Sequence, residues 1–209
     1  HNPSDSLYKP HGTCPRGLLV EKRIAHNDAE DFLRRAHDID YSDIMPDPPL
    51  AAMLQRVCAA APTSIFTASI HEHARRCLER VGAHDAPWHA YIDTRSCAFE
   101  TKHSKACFET AMRLAGATEP SQCLFFDDSV KNIRAARAFG WRTVLVGKVD
   151  RDTRGPVRHC EEAELHIATL HELPHAAAIL FPEWAARIGG LSDALSKAGS
   201  EPPVRTLPV

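Results

Sequence analysis

From residue 47 to about residue 147 the chain alternates amphipathic helix with short apolar strand, and each strand ends in polar residues. This alternation restricts the fold more than any other feature, because it is how an α/β sheet of parallel strands covered by helices is written in sequence. Leu50, Met53, Leu54 and Val57 fall at i, i+3, i+4 and i+7, which makes one apolar helix face, with Asp47-Pro48-Pro49 as its start. Pro62 ends that helix, and Ser64 to Ser69 reads as a buried strand. Ala74, Cys77, Leu78 and Val81 mark a second helix closed by Gly82, and Ala90 to Asp93 a weaker strand. Phe108, Ala111, Met112 and Ala115 mark a third helix closed by Gly116. Gln122 to Phe126 is apolar without alternation, as in a central strand covered on both faces, and it runs straight into Asp127-Asp128. Ser129 caps a helix that Gly140 stops, Trp141 to Val146 is the next strand, and Glu164 to Ala168 an edge strand.

Residues 13–40 read as helical, with Leu18, Leu19, Phe32 and Leu33 as core contacts, and residues 189–209 as a polar, proline-containing tail. The balance of 25 Lys+Arg against 27 Asp+Glu leaves no basic block. A nucleic-acid or membrane-surface partner is therefore not expected, and any anion should be small and met by single residues. No apolar run is long enough to span a bilayer and no secretory leader is visible, so a cytoplasmic location is expected. The seven cysteines are scattered without a CxxC pair, which argues against a disulfide framework or zinc ribbon. His71, His73, His84 and His89 lack carboxylate or thiol partners at ligand spacing.

In open α/β sheets ligands meet the carboxyl ends of the strands, so the residues just after each apolar run are the candidates for chemistry. Three ends stand out. Thr67 and Ser69 offer hydroxyls beside backbone amides, suited to a phosphoryl oxygen, although Thr is also simply a good strand residue. Lys102 precedes a helix N-terminus, where an anion is favoured, although a solvated lysine is the alternative. Asp127 and Asp128 repel each other unless a cation or hydrogen-bond donors are present, which points to a divalent metal, with an N-capping role for one of them as the alternative.

The order hydroxyl, Lys, Asp-Asp on successive strand ends resembles the haloacid dehalogenase superfamily of phosphohydrolases. Ile65 to Ser69 resembles its second motif, Lys102 to Phe108 its third, and Cys123 to Ser129 with Asn132-Ile133 its fourth. Leu7 to Lys9, His11 to Cys14, Gly17-Leu18, Trp141 to Gly147 and His171 to Leu173 are similar to the pyrimidine 5′-nucleotidase branch. The resemblance implies a Rossmann-like parallel sheet with helices on both faces (residues 46–188), a partial helical cap (residues 1–45) and a flexible tail (residues 189–209). It also implies a Mg²⁺-dependent phosphomonoesterase acting on a small phosphate monoester, here a pyrimidine nucleotide. Thr67 and the Ala68 amide would bind the transferring phosphoryl group, and Lys102 would neutralise its charge. Asp128 would bind the metal, and Asp127 would assist it or orient Lys102. Gly12, Thr13 and Gly17 would face the leaving group from the cap.

One part of the pattern is missing. The family's first motif, a strand ending in Asp-x-Asp that supplies nucleophile and general acid, has no counterpart: in one register Asn2 and Ser4 replace both aspartates, and in another the motif falls upstream of residue 1. A non-catalytic phosphate-binding protein of the same fold is therefore the alternative function. The resemblance puts the missing strand between the Thr67 and Asp127 strands. Removing it would leave these about 9.6 Å apart, twice the usual strand spacing, and unable to pair.

Overall fold

The computed structural model describes residues 6–7, 10–150, 153–157 and 159–184; the tail expected at 189–209 lies outside them. Two helices, α1 (Cys14–Val20) and α2 (His26–Ala36), precede the alternating region. There follow α3 (Pro48–Ala60), β1 (Ser64–Phe66), α4 (His71–Val81), β2 (Ala90–Ile92), α5 (Lys105–Ala115), β3 (Leu124–Asp127), α6 (Val130–Phe139), β4 (Arg142–Val146), β5 (Leu165–Ile167) and α7 (Leu173–Leu180). Every strand pairing is parallel.

Local chemistry sets these boundaries. Asp47 accepts the Leu50 amide and Ser129 the Asn132 amide, capping α3 and α6. Gly140 ends α6 at φ +104°, where a Cβ would also come within 3.1 Å of Pro120. Pro120–Gln122 forms a 3₁₀ turn, so the strand expected from Gln122 starts two residues later, at Leu124. The strand expected over 64–69 ends at Phe66, although the Thr67 amide still donates to the Ile92 carbonyl at 2.8 Å.

The parallel strands lie in two pieces rather than one: β1 pairs with β2, and β3–β4–β5 form a separate sheet. The inner strands β1 and β3 do not pair with each other. Their side chains meet instead, with the rings of Phe66 and Phe125 5.9 Å apart. Helices cover both faces, as the unalternating strands require. On one face Phe125 and Leu145 pack with Phe108, Ala111, Ile133, Ala136 and Trp141 from α5, α6 and the start of β4. On the other, Leu124 and Phe126 meet Met53, Leu54 and Val57 of α3 and Leu173 and Ala177 of α7.

The cap is bound differently. Of the apolar residues expected to anchor it, only Leu33 is buried; Leu18, Leu19 and Phe32 are half-exposed, and Ala29 supplies the other buried contact of α2. Polar links fix its position. Arg16 of α1 pairs with Glu100 at 2.7 Å. Arg95 of the core holds Glu30 of α2 in a fork at 2.9 and 3.0 Å and Glu72 of α4 at 2.7 Å. Arg80 donates to the Ser42 and Ile44 carbonyls at 3.1 and 3.2 Å.

Two expectations follow. Phe108, 1% exposed and surrounded by Phe66, Phe125, Phe139 and Trp141, should cost about 3–5 kcal/mol of unfolding free energy when changed to Ala, read from urea melts. Beneath the cap, hydrogen bonding from Arg95 of the core holds the Glu72 carboxyl of α4 below its ordinary value. A depressed carboxyl contributes stability above its unfolded pKa and loses it as pH falls through the folded value. The protection factors of the α4 amides should therefore fall as pH drops below the ordinary glutamate range, and Arg95→Gln should remove most of that acid dependence.

Candidate functional site

The chain leaves the gap between the two sheets in both directions: β1 passes through α4 to β2 on one side, and β3 passes through α6 to β4 on the other. Two adjacent carboxyl ends whose connections diverge leave a crevice, and this is where α/β sheets bind ligands. A cleft of about 570 Å³ opens there. Thr67, Ala68, Ser69, Lys102, Asp127 and Asp128 line it from the core, and Gly12, Thr13, Phe32 and His37 from the cap.

Lys102 is buried, contrary to the alternative of a solvated lysine. Its Nζ lies 2.8 Å from Asp127 Oδ2, 4.9 Å from the Phe66 ring centroid and 5.2 Å from that of Phe125. An ammonium held against two aromatic faces and one carboxylate is compensated in low dielectric. Asp127 is compensated as well, since its Oδ1 accepts the Ser129 amide and the Asn132 Nδ2, both at 2.9 Å. Asp127 therefore meets its electrostatic needs within the protein. The repulsion argument for a metal loses its force, because donors rather than a cation answer the charge of Asp127. Asp128 is exposed in the cleft. N-capping of α6 falls to Ser129, not to either aspartate.

A divalent cation can be tested against these donors. Among the described residues no cluster of three His, Cys, Asp or Glu side chains is placed to hold a metal, so a closed structural site of the zinc type does not fit. Mg²⁺ keeps several waters and takes one or two carboxylates plus phosphate oxygens, and Asp128, exposed in a cleft that Lys102 and Thr67 also line, fits that demand.

On the β1 side, the Ser69 amide donates to Thr67 Oγ1 at 3.0 Å, closing a tight turn around Ala68 and setting both hydroxyls at the cleft. Gly12 and Thr13 line the cleft as expected, and Gly12 takes φ +79° where a Cβ would come within 3.1 Å of His103. Gly17 does not line it. It is buried against Leu7, 3.0 Å from where its Cβ would stand, and serves the packing of α1. The lining residues not read from the sequence as site residues include His37, His73 and, beyond its motif, Asn132. His37 and His73 come from separate elements, and no spacing links them. Their rings lie 4.9 Å apart, and Tyr41 OH bonds His73 Nδ1 at 2.8 Å. Burial, with His37 and Arg76 nearby, pushes the His73 pKa down.

The buried and exposed sides of the cleft should respond unequally to loss of charge. Lys102→Met leaves a buried carboxylate without its cation and should lower stability by about 3–5 kcal/mol. Asp128→Asn, at an exposed position, should change it by less than about 0.5 kcal/mol in the same denaturation assay.

Comparison with known proteins agrees with this architecture. Residues 18–140, more than half of the chain, match the family model of haloacid dehalogenase-like hydrolases. Among solved structures, the L-2-haloacid dehalogenase of Xanthobacter autotrophicus with covalently bound chloropropionic acid is similar at 15% identity and TM-score 0.53, covering 78% of this chain and 74% of that one. The β-phosphoglucomutase of Clostridium difficile is similar at 15% identity and TM-score 0.52, covering 90% and 76%. The HAD-hydrolase YfnB of Bacillus subtilis, bound to magnesium, is similar at 16% identity and TM-score 0.50, covering 82% and 67%. At such identities the solved structures speak for the fold alone. With a family match over most of its α/β region, and parallel strands whose diverging connections frame a cleft, the chain belongs to the haloacid dehalogenase-like hydrolases.

Proposed function

We propose that the cleft is the phosphate and metal site of a Mg²⁺-dependent phosphomonoesterase, with a pyrimidine nucleotide as the substrate class. The observation that carries this reading is Lys102: a buried ammonium, braced by Asp127, that lines the same cleft as Thr67 at the carboxyl ends of two strands. A phosphoryl group bound there receives hydrogen bonds from Thr67 and the Ala68 amide, and Lys102 neutralises the charge that grows on it. Asp127 keeps Lys102 in place. Mg²⁺, held by Asp128 and water, would add a second positive charge on the phosphoryl oxygens. Residues 1–45 act as the cap, whose Gly12, Thr13 and Phe32 meet the leaving group and exclude water, over the core of residues 46–188. The nucleophile of this reaction sits on an extended segment that enters between β1 and β3 and pairs with both; that β1 and β3 share no pairing with each other or with a further strand among the described residues supports that part of the reading. A cytoplasmic site of action accompanies it, and among the described residues no helix is long and apolar enough to cross a membrane.

A second reading, phosphate binding without turnover, is favoured by one observation. Among the described residues the acidic ones lining the cleft are Asp127, engaged by three donors, and Asp128, which the first reading reserves for metal. Phosphate release from p-nitrophenyl phosphate and from pyrimidine and purine monophosphates, with Mg²⁺ and with chelator, separates the two. Mg²⁺-dependent release faster with pyrimidine monophosphates, and lost in Asp128→Ala, is the expected outcome. Binding of inorganic phosphate without release would establish the second reading, and neither binding nor release would overturn both.

A further inference from the structure

Lys102 lies midway in sequence between two buried cysteines. Cys97 sits in the turns between β2 and α5, and Cys107 in the first turn of α5. Cys97 Sγ is 3.9 Å from the Cys107 carbonyl oxygen, and both side chains belong to the buried cluster that contains Phe108 and Phe125. The two thiols also meet each other. Hydrogen bonding from Cys107 holds the Cys97 thiol below its ordinary value, against the effect of burial and with Lys102 assisting. The same bond, together with burial, pushes the Cys107 thiol up. A thiol of increased thiolate character beside a protonated partner is the pairing found in redox-sensitive cysteines.

The chain between them is strained and close to solvent. Ala98 and Phe99 both take left-handed backbone, at φ +49° and +61°, which is unfavourable for residues with a Cβ. They are held there by the Cys97 amide on the Asp93 carbonyl at 3.1 Å, the Phe99 amide on the Thr94 carbonyl at 2.8 Å and the Glu100 amide on the Cys97 carbonyl at 2.9 Å. Cys97 itself is 4% exposed, but its neighbours Ser96 and Ala98 are exposed, so a small opening of these turns uncovers its sulfur. Five residues further on, Lys102 makes its 2.8 Å contact with Asp127. Phosphate binding by Lys102 does not call for a thiol on each side of the loop that carries it.

We propose that Cys97 and Cys107 form a redox switch: a peroxide joins them in a disulfide, which withdraws Lys102 from Asp127 and disables the anion site of the cleft. The loss of anion binding rests on the phosphate site proposed above; the disulfide and the displacement of Lys102 do not. In the first step Cys97 sulfur attacks one peroxide oxygen, the O–O bond breaks, and the other oxygen leaves as water with the thiol proton, giving a sulfenic acid. Cys107 sulfur then attacks Cys97 sulfur, the S–O bond breaks, and a second water carries away the Cys107 proton. Two thiols lose two electrons in all, and one peroxide gains them. Sulfurs in a disulfide are about 2 Å apart, well inside hydrogen-bond contact, so the two stems of the loop must close up. Asp127 cannot follow, because Ser129 and Asn132 hold its other oxygen.

The test treats the intact chain with hydrogen peroxide, blocks the remaining thiols with N-ethylmaleimide and maps peptides by mass spectrometry. A Cys97–Cys107 disulfide, reversed by dithiothreitol, is expected. Lys102, protected from acetic anhydride by its burial in the reduced chain, should be acetylated several-fold faster after oxidation. Inorganic phosphate should bind about tenfold or more weakly to the oxidised chain, as expected when one charge-assisted hydrogen bond is lost. In Cys97→Ser and in Cys107→Ser, both checked by thermal melts, peroxide should leave Lys102 protected. No disulfide, a disulfide between other cysteines, or a Cys97–Cys107 disulfide with Lys102 still protected overturns the switch. If the disulfide exposes Lys102 but phosphate does not bind even to the reduced chain, the switch stands and the phosphate site is wrong.

Discussion

The organisation of the cleft depends on one buried ion pair. Burying an ammonium and a carboxylate costs several kcal/mol per ion after relaxation, and their attraction repays this only if their remaining hydrogen-bonding capacity is met. Here it is met on both sides. Asp127 spends its second oxygen on Ser129 and Asn132, which ties the pair to the first turn of α6, and Lys102 lies against Phe66 and Phe125. Those rings belong to β1 and β3, strands that share no backbone hydrogen bond. The ammonium is thus a contact common to both pieces of the sheet. It brings the end of β1, with Thr67 and Ser69, to face the end of β3, with Asp127 and Asp128. A neutral residue of similar length could fill the space but would leave Asp127 uncompensated.

The cap is governed by a different balance. Its contact with the core relies on partly exposed ion pairs around Arg95 and Arg16 more than on apolar burial. Such pairs are each worth up to about 1 kcal/mol and are screened by salt. Elements joined this way sit at the low-stability end of a structure and can move without unfolding the core. That division suits a site whose ligand must pass between cap and core. The catalytic candidates of the core are fixed by burial and by strands, whereas the groups that would meet the leaving group lie on the part free to adjust.

The core was legible from sequence because its signals are local. Gly82, Gly116 and Gly140 end their helices in left-handed conformations, and the apolar periodicity of α3, α4 and α5 marks which faces are buried. Thr67, Lys102, Asp127 and Asp128 could be picked out because each follows directly on a strand or precedes a helix. What could not be read were properties set by residues distant in the chain. The pairing of Lys102 with Asp127 spans 25 residues, and the meeting of His37 with Ser69 spans 32. Charge repulsion at Asp127-Asp128 suggested a cation because the donors from Ser129, Asn132 and Lys102 were not visible as such. Gly17 looked like a cap residue facing substrate, yet its lack of a side chain serves the approach of Leu7.

The separation of the strands into two sheets has a consequence for the backbone as well as for the site. A strand paired on one side only presents its other edge's amides and carbonyls to whatever lies next to it, and buried groups of that kind demand partners. β1 and β3 have three and four residues, short enough to limit their use as templates for foreign strands. Their side chains nevertheless meet through the rings of Phe66 and Phe125. An extended segment could pair with β1 and β3 at once, and if it ran parallel to β1 its carboxyl end would emerge on the side of Thr67. The backbone's need for partners and the electrostatics of the cleft therefore converge on the same place.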